Sequence, residues 1–155
     1  IGSFASRATN AELAADKSIA LQCYERLYEE AGKWLGPYFR SIYHLHKLLH
    51  YSGLPEARRV QYASLVRAQL SRFELIILFY NLLSDKSFKM RSYVSFYGVL
   101  KHLDIHDLLD MSHAKIGFAS DEAAFMDYQW RRDNGVMPAS DIALPVKRRR
   151  SRSAE

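Results

Sequence analysis

Arginine and histidine set a few residues apart can hold a phosphate and move a proton beside it. The segment YFRSIYHLHKLLHY, residues 38–51, offers that pairing: Arg40 is followed by Tyr43, His44 and His46. Arg40, Tyr43, His44, Lys47 and Tyr51 form one helical stripe, opposed by Ile42, Leu45, Leu48 and Leu49. His46 sits about 120° around the helix from Arg40. A second polar set lies in RAQLSRFELIILFYN, residues 67–81. Read as one helix, Arg67, Ser71, Glu74 and Asn81 fall within about 80° of one another. The rest of that stretch is apolar enough to be buried. A cation, a carboxylate and an amide taken inside must find partners. Two readings of this line stand side by side: a network that fixes the register of neighbouring helices, or the lining of a ligand or catalytic pocket.

The other titratable residues point to less. His46 and His50 are four apart, as two metal ligands on one helical face must be, and His102 and His106 repeat the spacing. No glutamate of the two-histidine metal motif stands between them and no cysteine joins them. They are read as core or surface histidines, with no metal and no cofactor. Cys23 is the single cysteine, which excludes an internal disulfide and suits a reducing compartment.

At 155 residues, with 48% apolar and 25% charged side chains, the chain reads as one globular domain. The formal net charge is +5, but the last ten residues hold Lys147, Arg148, Arg149, Arg150 and Arg152 against Glu155. The remaining body is nearly neutral, so the overall basicity is no argument for nucleic acid. The tail has no interleaved aromatics to stack bases and supports only nonspecific contact with RNA or an anionic surface. The longest apolar run, 75–80, is far short of the ~20 residues of a spanning helix. The chain begins with Ile1 rather than methionine, and is read as a fragment of a longer protein.

No segment alternates with the period of a strand. The pattern predicts an all-α bundle of about five helices. Residues 1–8 read as a frayed start. Thr9 or Asn10 caps a helix to about residue 31, closed by Gly32, and 34–36 form a tight connector. Pro37 starts a second helix to residue 52. Pro55 starts a third that runs nearly thirty residues to residue 84, with no internal glycine or proline, a bend near its middle and the whole polar line on one face. The second and third helices form a central antiparallel hairpin, in which Arg40 can meet Glu74 or Asn81. A fourth helix covers 88–103, a short turn follows near 106–111, and Ser120 caps a last helix ending at 133. Residues 136–155 read as a disordered basic tail.

Two resemblances follow. The Arg40–His46 spacing fits the loose arginine–histidine signature of HEPN-type ribonucleases, all-α dimers that cleave RNA through its 2′-hydroxyl. It implies a metal-independent ribonuclease using Arg40 with His44 or His46. More specific is the double box formed by Tyr38, Phe39, Arg40 and Tyr43, then Arg67, Ala68, Gln69, Leu70, Ser71, Glu74, Leu75, Leu78, Phe79, Tyr80 and Asn81. It resembles the AbiC-like phage abortive infection proteins, over about 34–109. That resemblance implies bacterial anti-phage defence, responding to a phage or host trigger, with no settled reaction. It makes Arg40, Tyr43, Arg67, Gln69, Ser71, Glu74 and Asn81 the candidate binding positions. A homo-oligomer is expected, in the cytoplasm or as the cytoplasmic part of an inner-membrane protein whose spans precede Ile1.

Overall fold

Gly32, Gly36 and Pro37 read as stop and start signals, yet one helix runs through all three. The computed structural model describes residues 10–117 and 122–136. In it α1 is a 42-residue helix, Asn10–Tyr51, with Pro37 inside it. The glycines serve clearance instead. A Cβ at Gly36 would stand 3.0 Å from the Tyr28 hydroxyl, and one at Gly32 3.1 Å from the Tyr28 ring. Tyr28 therefore lies flat along its own helix, and packing outweighs the propensity cost of two glycines and the N–H that Pro37 lacks.

The long third helix is likewise corrected. The chain forms α2 (Glu56–Ala68) and α3 (Arg72–Leu83), broken at Gln69-Leu70-Ser71. Ser71 is the N-cap of α3: its hydroxyl accepts from the Glu74 N–H at 3.3 Å, and the Glu74 carboxylate accepts from the Ser71 N–H at 2.7 Å. This reciprocal pair satisfies two orphan donors and starts a new helix where the apolar run seemed continuous. The break changes burial too. Leu75 and 78–83 are buried, whereas Leu65 and Phe73 are 59% and 74% exposed.

After a 3-10 turn at Asp85–Ser87, α4 spans Phe88–Tyr97 and ends earlier than expected. Gly98 takes the left-handed conformation, φ 60°, that closes a helix and that other residues adopt at a cost. A 3-10 turn at Ile105–Asp107, α5 (Ser112–Gly117), a 3-10 turn at Glu122–Phe125 and α6 (Tyr128–Asp133) complete the chain. The last helix is thus shorter than 120–133, and Asp127 is its N-cap, accepting from the N–H groups of Gln129 and Trp130. Ser120, the frayed start at 1–8 and the tail positions Lys147 to Arg152 lie outside the described residues.

The fold is an all-α bundle, with no strand among the described residues. The expected second helix is the end of α1 and the expected third is two helices, α2 and α3, both touching α1. α1 also meets α4 and α5, so four helices pack against it. Leu78, Phe79, Leu82, Tyr93, Val94 and Leu100 have essentially no exposure. Each large apolar side chain so buried contributes ~1.5–3 kcal/mol.

Candidate functional site

The residues of the polar line part company once the helix breaks. Arg67, at the end of α2, is buried and points at the end of α4, where its Nη1 donates to the carbonyls of Gly98 at 3.2 Å and Tyr97 at 3.5 Å. Asp127 stands 3.9 Å from its Nη2 and is held at 2.9 Å by Lys101. Burial pulls the Arg67 pKa down, and the nearby Asp127 carboxylate opposes that. A guanidinium on carbonyls that a helix leaves unpaired is a C-terminal cap supplied from another element. Arg131 of α6 donates to the Phe96 carbonyl beside it.

Ser71 and Glu74 close on one another as the α3 cap. The hydrogen bonds from Ser71 are the main reason the Glu74 pKa is lowered. Glu74 does not share a cavity with Arg40. With Trp34, Leu35, Tyr38 and Ile77 it lines a separate, largely apolar recess of about 270 Å³. Gln69 is exposed at the C-cap of α2.

Asn81, like Arg67, reaches other elements. It is buried, and its Nδ2 donates to the Tyr24 hydroxyl of α1 while its Oδ1 accepts from the Ser87 hydroxyl. Its carbonyl also accepts from the Ser84 hydroxyl at 2.6 Å. One amide thereby ties α1, α3 and the turn before α4. Burial, opposed by the Asn81 hydrogen bond, pushes the Tyr24 pKa up to about 12.

Above Asn81 opens a cavity of about 400 Å³ lined by Tyr28, Gly36, Phe39, Arg40 and Tyr43 of α1, by Asn81, and by Lys86, Ser87, Lys89 and Met90. Arg40, Tyr43 and Asn81 converge here, as the paired boxes suggested for Arg40 and Asn81. Lys86 lies over the Tyr28 ring, 5.0 Å from its centroid, and pairs with Glu25. Arg40 and Lys89 are exposed and have no ion pair or hydrogen bond among the described residues. Tyr43 meets Tyr93 edge-on at 5.7 Å, with Lys47 5.7 Å over its ring.

The histidines go elsewhere. His46 is 1% exposed and faces the core. Its Nδ1 lies 2.8 Å from the Ile42 carbonyl, which can only accept, so Nδ1 carries the proton. Its Nε2 is buried without a partner, and burial holds its pKa below the ordinary value. Arg40 and His46 are therefore not brought together. His44 is exposed on the α1 surface, its ring 5.1 Å from that of Tyr43. His50 sits half-buried between Arg59 and Tyr97, its Nδ1 3.4 Å from each.

The family model described as "Putative phage abortive infection protein" matches residues 30–108, just over half of the chain. The chain belongs to this family. No curated protein matches it, and no solved structure does. The matched span contains both abortive-infection boxes, all of α2, α3 and α4, and every residue lining the cavity except Tyr28. Among the described residues no helix is long and apolar enough to cross a membrane. Sequence reasoning missed Lys86, Ser87, Lys89 and Tyr28. The run DKSFK just past Asn81 was the available signal for three of them, two cations and a hydroxyl at the start of a helix. The serine–x–x–glutamate pattern of 71–74 was the signal for the missed break.

Proposed function

We propose that this domain serves anti-phage defence by abortive infection as a binding module, with the cavity carrying Arg40, Tyr43 and Asn81 as its working site. One observation carries the reading. Residues from two boxes separated by more than a helix converge on one cavity, while the other polar box residues are engaged in holding the bundle. Arg67 caps α4, Ser71 and Glu74 cap α3, and Gln69 ends α2. Arg40 has no ion pair or hydrogen bond among the described residues, so its guanidinium is available to a ligand and is not spent on holding the fold. The test is plating efficiency of phage on cells carrying the complete gene with Arg40→Ala. Loss of protection at unchanged protein level is expected; full protection overturns the reading.

Self-association is the second part of the reading. Ile19, Leu27, Trp34, Leu45 and Leu48 of α1 are 40–72% exposed. They fall within about 80° of arc on that helix, which is an apolar seam of the kind helices bury against one another. The ribonuclease alternative is left with Arg40 and His44, since His46 lacks access to solvent. RNA cleavage abolished by His44→Ala and by Arg40→Ala would favour it over a binding module.

A further inference from the structure

The cavity over Asn81 has a one-sided charge. Among the described residues, Arg40, Lys86 and Lys89 line it and no carboxylate does. Glu25, outside the lining, answers Lys86 alone. That leaves Arg40 and Lys89 as two cations on one concavity without a counter-charge among the described residues. Like charges on the walls of a low-dielectric recess raise its potential and draw in an anion.

The start of α4 adds to this. Its N-cap residue Ser87 makes no side-chain cap, because its hydroxyl donates to Asn81 instead. The first turn of this ten-residue helix, the partial positive end of its dipole, therefore lies at the cavity edge without a cap from Ser87. The size and remaining lining narrow the ligand. About 400 Å³ is more than one inorganic ion fills, and Phe39, Tyr43 and Met90 supply apolar and aromatic wall. A dianionic phosphomonoester with an apolar or planar body matches both halves: the arginine fork and a lysine for the phosphate, the rings and thioether for the rest.

We propose that the cavity between α1 and the start of α4 binds a small phosphorylated ligand, its phosphate held by Arg40 and Lys89 and its body lying against Phe39, Tyr43 and Met90. The proposal rests on the reading that this cavity is the working site. Asn81 is a positioning residue here, since its amide sets the Ser87 turn against α1.

The test is calorimetric titration of the full chain with inorganic phosphate, adenosine 5′-monophosphate and adenosine. Phosphate and the monophosphate should bind saturably, the monophosphate more tightly, and adenosine should not. Arg40→Ala and Lys89→Ala are exposed-site changes that leave the helical circular dichroism intact. Each should weaken monophosphate binding by about tenfold, the loss expected of one charge-assisted contact, and added salt should weaken the wild type. Adenosine binding as well as its phosphate, equal affinity in both variants, or no saturable binding of either phosphate at millimolar concentration overturns the ligand class. Phage protection separates the two levels. If Arg40→Ala abolishes protection while no phosphate binds, the ligand class fails and the cavity stands. If Arg40→Ala/Lys89→Ala protects fully, the cavity itself is the wrong site.

Discussion

Replacing Asn81 by alanine tests whether one amide joins the site to the fold. In the folded chain its Nδ2 and Oδ1 are both engaged, by Tyr24 and Ser87, and it is 2% exposed. Truncation removes two hydrogen bonds and strands the hydroxyl of Tyr24, a residue that is 3% exposed. Ser87 is only half-buried and can turn to water. Two lost bonds, one stranded group and a small void sum to a cost of about 2–4 kcal/mol. For a domain of this size that lowers the melting temperature by about 5–15 °C. Tyr24→Phe strands the Asn81 amide instead and costs about 1–3 kcal/mol. The double variant strands neither partner of the pair, so it should cost at least about 1 kcal/mol less than the two single costs together. Urea unfolding followed by far-ultraviolet circular dichroism measures all four proteins at constant slope. Costs that add within about 0.5 kcal/mol refute the tie between α1 and α3.

Ser71→Ala and Glu74→Ala should each cost about 1 kcal/mol in the same unfolding measurement, the value of an exposed cap. A Glu74→Ala protein that does not fold would instead mean a buried network, against the capping geometry. His46 should make the domain acid-sensitive: burial lowers its folded pKa, so its neutral form is favoured in the fold. Its contribution is complete above the ordinary value of 6.5 and is lost as pH falls through that value towards the folded pKa. Wild type should lose stability between pH 6.5 and about 5 more steeply than His46→Leu; equal slopes refute a buried neutral His46.

The candidate site was half legible in the chain. Arg40 and Asn81 could be matched because each box is a local pattern, and side chains three, four or seven apart are neighbours on any helix. Their meeting could not be derived from those patterns, since it depends on α1 passing α3 at the right height. Lys86 and Lys89 are ordinary lysines by type; only the cavity gives them a role. His46 illustrates the converse. Its spacing from Arg40 suited catalysis, but the core claimed the face it sits on.

The sequence by itself determined that this domain is helical, where its apolar faces lie, and to which family it belongs. Those properties are carried by periodicity and by local boxes, which survive without knowledge of neighbours. Tertiary structure decided where helices continue and where they stop. Gly32, Gly36 and Pro37 were overruled because the Tyr28 ring needs the clearance and α1 packs against α2, α3, α4 and α5. The run 55–84 was divided because a capping pair at Ser71 and Glu74 starts a new helix after the break at Gln69-Leu70-Ser71. With that division the single polar line ceased to exist. Its arginine went to the end of α4 and its amide to the floor of the cavity.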